Sequence, residues 1–272
     1  MKVLTRLLLL MTVIGLAGCV HQSIVHAPMQ PDGWSAQPLS IACRFAPDAD
    51  LDSSTGTPVG DEGYYLYILT DSAGNRDYST PLSVAFSFRK NPGGHSWIIL
   101  ESPQNRLEYG HNGNFGLEKP HYLDGVYQRF RDNHPNPIAY LWEAMDDGRL
   151  ETGRADHTPT FVWRMPITKR RYELIYEYAM QRTYDQFNLR DNNCTDMVTD
   201  AAALAGIHLI HRLRLTIPQE PKILGRTLHM WTDPKYRILE FSTPDVLQMD
   251  LRQLAQLGIG SDVTEWYPGL KR

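Results

Sequence analysis

The run Asn193-Cys194-Thr195-Asp196-Met197-Val198-Thr199-Asp200-Ala201-Ala202-Ala203-Leu204-Ala205-Gly206 constrains this chain more than any other, because it specifies a short helix with both ends marked. Asn193 is an N-cap whose side-chain oxygen can accept from an unpaired N–H of the first turn. Gly206 is free to take the left-handed conformation that stops a helix. Met197, Val198, Ala201, Leu204 and Ala205 recur at three- and four-residue spacing, so one stripe faces a core. Cys194 falls at the first helical position, where the helix dipole and free N–H groups favour a thiolate. A cysteine there is either a nucleophile or a small buried hydrophobe.

The N-terminus lies outside the fold. Lys2 and Arg6 precede an apolar run over 7–16 that ends in Leu16-Ala17-Gly18-Cys19, the pattern of a secretory signal peptide. That run is shorter than the ~20 residues needed to span a bilayer. Leu16-Ala17-Gly18-Cys19 resembles the bacterial lipobox, which implies removal of residues 1–18 and a palmitate-type lipid anchor at Cys19. Val20 stands where an inner-membrane retention signal would show Asp, which favours the outer membrane, facing the periplasm. Losing Lys2 and Arg6 takes the formal charge from −4 to −6.

With 42% hydrophobic and 21% charged residues, the remainder is an ordinary globular chain. A negative charge without a dominant basic run argues against nucleic acid as a partner; Lys169-Arg170-Arg171 reads as a solvated first turn of a helix. No cysteine or histidine cluster has zinc-site spacing, and nothing points to a metal, nucleotide or redox cofactor. With Cys19 taken by lipid, Cys43 and Cys194 remain in an oxidising compartment, and a disulfide between them is the main rival to a reactive Cys194.

Four stretches follow from composition. Residues 1–18 are the signal peptide, and 19–60, rich in Pro, Ser, Gly and Asp, form the lipidated tether and an irregular segment. Within the latter, 39–45 is a short strand with Cys43 facing inward. Residues 61–232 form the main domain and 233–272 a C-terminal extension. Aromatic and β-branched content predicts strands over 64–70, 82–89, 95–101, 106–111 and 160–165. Residues 138–145, 169–183 and 246–257 read as helical, the second capped by Thr168. If the turn after residue 101 centres on 102–105, His95 lies opposite His111, and both point to one face.

A thiol needs help to ionise at neutral pH, since its free pKa is ~8.5. The helix end supplies part of that, and a neighbouring imidazole would supply the rest. His95 opens an apolar strand straight after Gly93-Gly94; its alternative is a strand-end histidine bound to backbone or water. Glu108 and His111 on the return strand are candidates to orient it, and one residue of register decides between them. The N–H of Cys194, with Asn193 as a second contributor, is the candidate oxyanion donor. Asp196 is expected to point away from the sulfur, and Tyr184 lines a cleft or belongs to the core.

Gly94-His95-Ser96-Trp97-Ile98-Ile99-Leu100, followed about a hundred residues later by Asn193-Cys194-Thr195-Asp196-Met197-Val198-Thr199-Asp200-Ala201, resembles the circularly permuted NlpC-type papain-like proteins. That group includes the lecithin:retinol acyltransferase relatives and the YaeF/YiiX lipoprotein peptidases. Phe161-Val162-Trp163-Arg164-Met165-Pro166 and Leu215-Thr216-Ile217-Pro218 match further pieces in order. The likeness runs over 92–230, with 112–159 unmatched, and lacks the family's usual Gly-Asp-led strand ahead of the histidine. It implies an α+β, papain-like fold with an antiparallel sheet packed against the cysteine helix. It also implies Cys194 as nucleophile, His95 as general base and Glu108 or His111 as the third residue. The expected activity is a thiol hydrolase on peptidoglycan peptide amides, or on lipid and other acyl esters. The rival is a non-catalytic envelope lipoprotein with the same fold.

Overall fold

The computed structural model describes residues 20–22, 35–43, 49–52, 57–72, 94–152, 157–223 and 225–267. In chain order the strands and helices are β1 (Val20–Gln22), β2 (Ser35–Cys43), β3 (Tyr65–Asp71), β4 (His95–Glu101), β5 (Arg106–Asn112), α1 (Tyr122–Arg131), β6 (Arg149–Thr152) and β7 (Phe161–Pro166). They continue with α2 (Lys169–Gln181), α3 (Cys194–Leu204), β8 (His208–Thr216), β9 (Lys222–Ile223), β10 (Arg226–Thr227), β11 (Ile238–Phe241), α4 (Pro244–Gln256) and β12 (Ser261–Asp262). The expected strand over 82–89 and the signal peptide with Cys19 lie outside the described residues.

The result is a mixed α+β architecture. Six antiparallel strands, in the order β12-β7-β3-β4-β5-β6, form the main sheet. A second sheet runs β1-β2-β8-β11. Alternation sorts the main sheet's side chains into two faces. Leu66, Ile68, Ile98, Leu100, Tyr109, Trp163 and Met165 meet Met197, Val198, Ala201 and Ala202 of α3 in the largest core. The alanines let the helix axis come close to the sheet, and each fully buried Val, Leu or Met side chain adds about 1.5–3 kcal/mol. On the other face, Tyr67, Leu69, Trp97, Ile99 and Val162 are closed over by Tyr267, with Val263 and Trp266 against them.

The helix ends behave as their residues dictate. Thr168 caps α2 by accepting from Arg171 N–H. Asn193 accepts from the N–H groups of Thr195 and Asp196, while the Asp196 carboxylate accepts from Asn193 N–H, a complete capping box. Gly206 has φ +92°.

Several boundaries differ from the sequence expectation. The stretch taken as tether contributes β1 and β2, and β2 runs a nine-rung ladder with β8 from Ser35↔Thr216 to Cys43↔His208; backbone pairing with a long partner outweighs its loose alternation. In the segment after 232, Leu247, Leu251 and Leu254 of α4 enter the main core, and β12 pairs with β7. Residues 137–142 form a 3-10 helix, with Glu143 N–H donating to Tyr140 O, because Pro137 opens a run too short to propagate an α-helix. Arg171 is buried rather than solvated, donating to the Leu204 carbonyl and to Asp50. Helix α1 and strand β6 are additions that periodicity did not mark.

Candidate active site

Cys194 is a free, buried thiol, and the side chain of Cys43 lies outside what the structure describes. The capping box sets it at the head of α3, and the neighbouring Thr195 hydroxyl is held by Ser96 Oγ of β4 at 3.1 Å. That contact ties the first turn of the helix to the strand that starts with His95. Burial alone would push the thiol pKa up. The His95 imidazole, the Ser96 N–H and the Thr195 hydroxyl outweigh it and hold the pKa below the usual range.

His95 answers in kind. Burial alone would lower its pKa, but hydrogen bonding to the Cys194 sulfur and the carboxylate of Glu151 raise it well above the ordinary imidazole value. A depressed thiol beside an elevated imidazole describes a thiolate–imidazolium pair. The His95 Nε2 lies 3.3 Å from Glu151 Oε2. The contact is off the line of an ideal N–H donor, so it acts as an ion pair more than as an aligned hydrogen bond. The Glu151 pKa is lowered, first by its contact with His95 and against some burial.

Glu151 was not legible in the sequence. It reaches the histidine through register: Gly110 pairs with Trp97 on one side and with Glu151 on the other. A Cβ built on Gly110 would sit 3.0 Å from His95 Nε2, 3.3 Å from Trp97 Cβ and 3.5 Å from Glu151 Oε2. The bare backbone at 110 is the gap through which Glu151 meets His95. A lone glycine inside a β pattern, Tyr109-Gly110-His111, was the available signal for such a close approach.

The same register moves the two expected orienting residues elsewhere. Trp97↔Gly110 puts Glu108 on the His95 face and His111 on the opposite one, so His95 and His111 do not share a face as the hairpin estimate had it. Glu108 accepts from Trp97 Nε1 at 2.6 Å and from Tyr267 OH at 2.9 Å, which ties it to the second core. His111 is fully buried and its Nε2–H donates to the Tyr184 carbonyl at 2.8 Å. Burial, opposed in part by that carbonyl and aided by Arg182, lowers its pKa to about 4, so it is neutral. Tyr184 stands edge-on to it at 5.0 Å.

Asn193 is spent on the helix cap. Its N–H donates to Asp196, its Oδ1 accepts twice, and its Nδ2 donates to Leu189 O. Among the described residues no hydrogen bond claims the Cys194 N–H, which leaves it as the donor placed at the sulfur. Asp196 does point away: its carboxylate takes Asn193 N–H and Ser242 OH, at 3.0 and 2.7 Å. Burial raises its pKa to about 6.

The pair opens on a cavity of about 820 Å³. His95, His111 and Cys194 line it, and Phe115, Tyr122, Leu123, Tyr127, Phe187 and Leu189 supply apolar wall. His157, also unread from sequence, lines it too. Among the described residues no group of three or more His, Cys, Asp or Glu side chains is placed to hold a metal ion, and no helix is long and apolar enough to cross a membrane.

Comparison with protein-family models, curated proteins and solved structures finds no match to this chain.

Proposed function

We propose that this protein is a thiol hydrolase working through an acyl-enzyme at Cys194. One observation carries the reading: a buried cysteine at a helix N-terminus lines one cavity with a buried imidazole whose Nε2 lies 3.3 Å from a carboxylate. Each part has a use. The thiolate attacks a carbonyl carbon, the Cys194 N–H in the first turn of α3 donates to the developing oxyanion, and His95 returns its proton to the leaving group. Glu151 holds the imidazole in orientation and favours its charged form.

The order of histidine strand before cysteine helix, on one antiparallel sheet, supports a circularly permuted papain-like fold of the NlpC type. A peptidoglycan peptide amide is the substrate expected of a lipoprotein anchored through Cys19 at the outer membrane. The aromatic wall of the cavity favours a second substrate class, an acyl ester with an apolar chain.

The test is alkylation by a fluorescent iodoacetamide at pH 6, where an ordinary thiol is almost wholly protonated. Wild type is expected to label fast, Cys194→Ala to lose that fast label, and His95→Ala to label slowly. Labelling of Cys194 at the rate of a free thiol overturns the reading. Incorporation of alkyne-palmitate that survives Cys19→Ser would overturn the anchor.

A further inference from the structure

The sheet face that carries His95 carries a second histidine for which the acyl-enzyme scheme has no task. Asp71 is the cross-strand partner of His95 in the β3–β4 ladder, so the two side chains leave the sheet side by side. The Asp71 carboxylate accepts from His157 Nδ1 at 3.0 Å. The His157 ring lies nearly flat against that of His95, with centroids 4.4 Å apart and planes 22° from parallel. With Nδ1 donating to a carboxylate, Nε2 is the acceptor nitrogen of the ring. His157 lines the same cavity as Cys194.

The two imidazoles differ in access. The His95 side chain is 5% exposed and that of His157 is 23% exposed. His95 has one nitrogen against Glu151 and is buried beside Cys194 in the cavity wall. His157 has one nitrogen held by Asp71, and its partly exposed ring borders the cavity.

We propose that His157, oriented by Asp71, is a second catalytic base that takes the proton of the incoming acyl acceptor. This rests on Cys194 being the acyl-forming nucleophile. In acylation the Sγ–C bond forms, the bond to the leaving group breaks, and the proton of His95 goes to the leaving group. His95 is then neutral and screened by the acylated sulfur. A water molecule entering from the cavity meets His157. As its oxygen bonds to the carbonyl carbon, its proton passes to His157 Nε2. The C–Sγ bond breaks and the sulfur leaves as thiolate. The released carboxylic acid gives its proton to His95, restoring the thiolate–imidazolium pair, and His157 returns its proton to solvent.

Pre-steady-state turnover of p-nitrophenyl acetate by the full mature chain tests this. Wild type is expected to give a burst of nitrophenolate and then slow turnover. In His157→Gln the burst rate should stay within about threefold, while the steady phase slows by about 100-fold, the usual worth of a general base. Hydroxylamine attacks thioesters without a base, so it should release the acyl group from the variant as fast as from wild type. Asp71→Asn should follow in the same direction. Burst and steady phase falling together would mean that His157 only packs against His95, and the proposal fails; it fails equally if neither changes. If wild type gives no burst, or Cys194→Ala keeps one, the nucleophile reading fails first and this proposal with it.

Discussion

The carboxylate of Glu151 lies 3.3 Å from the Nε2 of His95, reached from β6 across the bare backbone of Gly110 on β5. The contact comes from the second strand over, while the adjacent strand's own candidates, Glu108 and His111, bond Trp97, Tyr267 and the Tyr184 carbonyl.

Glu151→Gln removes the charge and keeps the shape. The carboxylate is among the groups that raise the His95 pKa, so its loss lowers that pKa and narrows the pH range of the ion pair. A charge-assisted contact is worth about 1.5–3 kcal/mol, so the alkaline limit of the ion pair should move down by about 1–2 pH units, with Cys194 alkylation at pH 6, where the imidazole stays charged, little changed. The pH–rate profile of alkylation checks this, and Glu151→Asp should recover part of the shift.

Gly110→Ala puts a methyl where His95 and Glu151 converge. Overpacking of this kind costs about 1–3 kcal/mol, so the protein should remain folded with a modestly lower denaturation midpoint. The alkaline limit of the ion pair should move down as in Glu151→Gln. An unchanged pH–rate profile in a folded variant would show that the Glu151 contact is dispensable.

Asp196 gives a pH signature in stability. Its pKa rises from 3.8 unfolded to about 6 folded, so the folded state binds that proton more tightly. The contribution is fully present below the unfolded value and is lost as pH climbs through 6. That difference corresponds to about 3 kcal/mol. Denaturant midpoints of wild type and Asp196→Asn from pH 4 to 7 should therefore show wild type losing ground to the variant as pH rises.

Arg182 clamps the loop that delivers Cys194. It donates to Asp200 on α3 and to Asn192 beside the cap, both at 2.7 Å. The Asp200 side chain is more than half exposed and solvent screens that end, so the Asn192 end carries most of the effect. Arg182→Met should cost about 1–3 kcal/mol in urea denaturation and also slow Cys194 alkylation.

Local signals carried far where the physics is local. The strand His95–Glu101, the Thr168 cap of α2 and the Asn193-to-Gly206 helix with its cysteine match their sequence reading residue by residue, because alternation, capping and helical spacing act over a few residues. The same holds for Asp196 turning from the sulfur, since a capping box is written in four consecutive residues. The strand Ser35–Cys43 and helix α1 escaped because what stabilises them is distant in sequence: the β8 ladder for the strand, and for Tyr122 and Val126 of α1 a core with Phe187, Leu213, Leu215 and Trp231.

The sequence by itself determined that Cys194 heads a helix and that His95 starts an apolar strand. Which groups surround that histidine was a matter for tertiary structure alone. A one-residue shift of register exchanges the faces of a strand, and the register Trp97↔Gly110 turned His111 away, left a gap at Gly110, and let Glu151 from one side and the Asp71–His157 pair from the other close on His95.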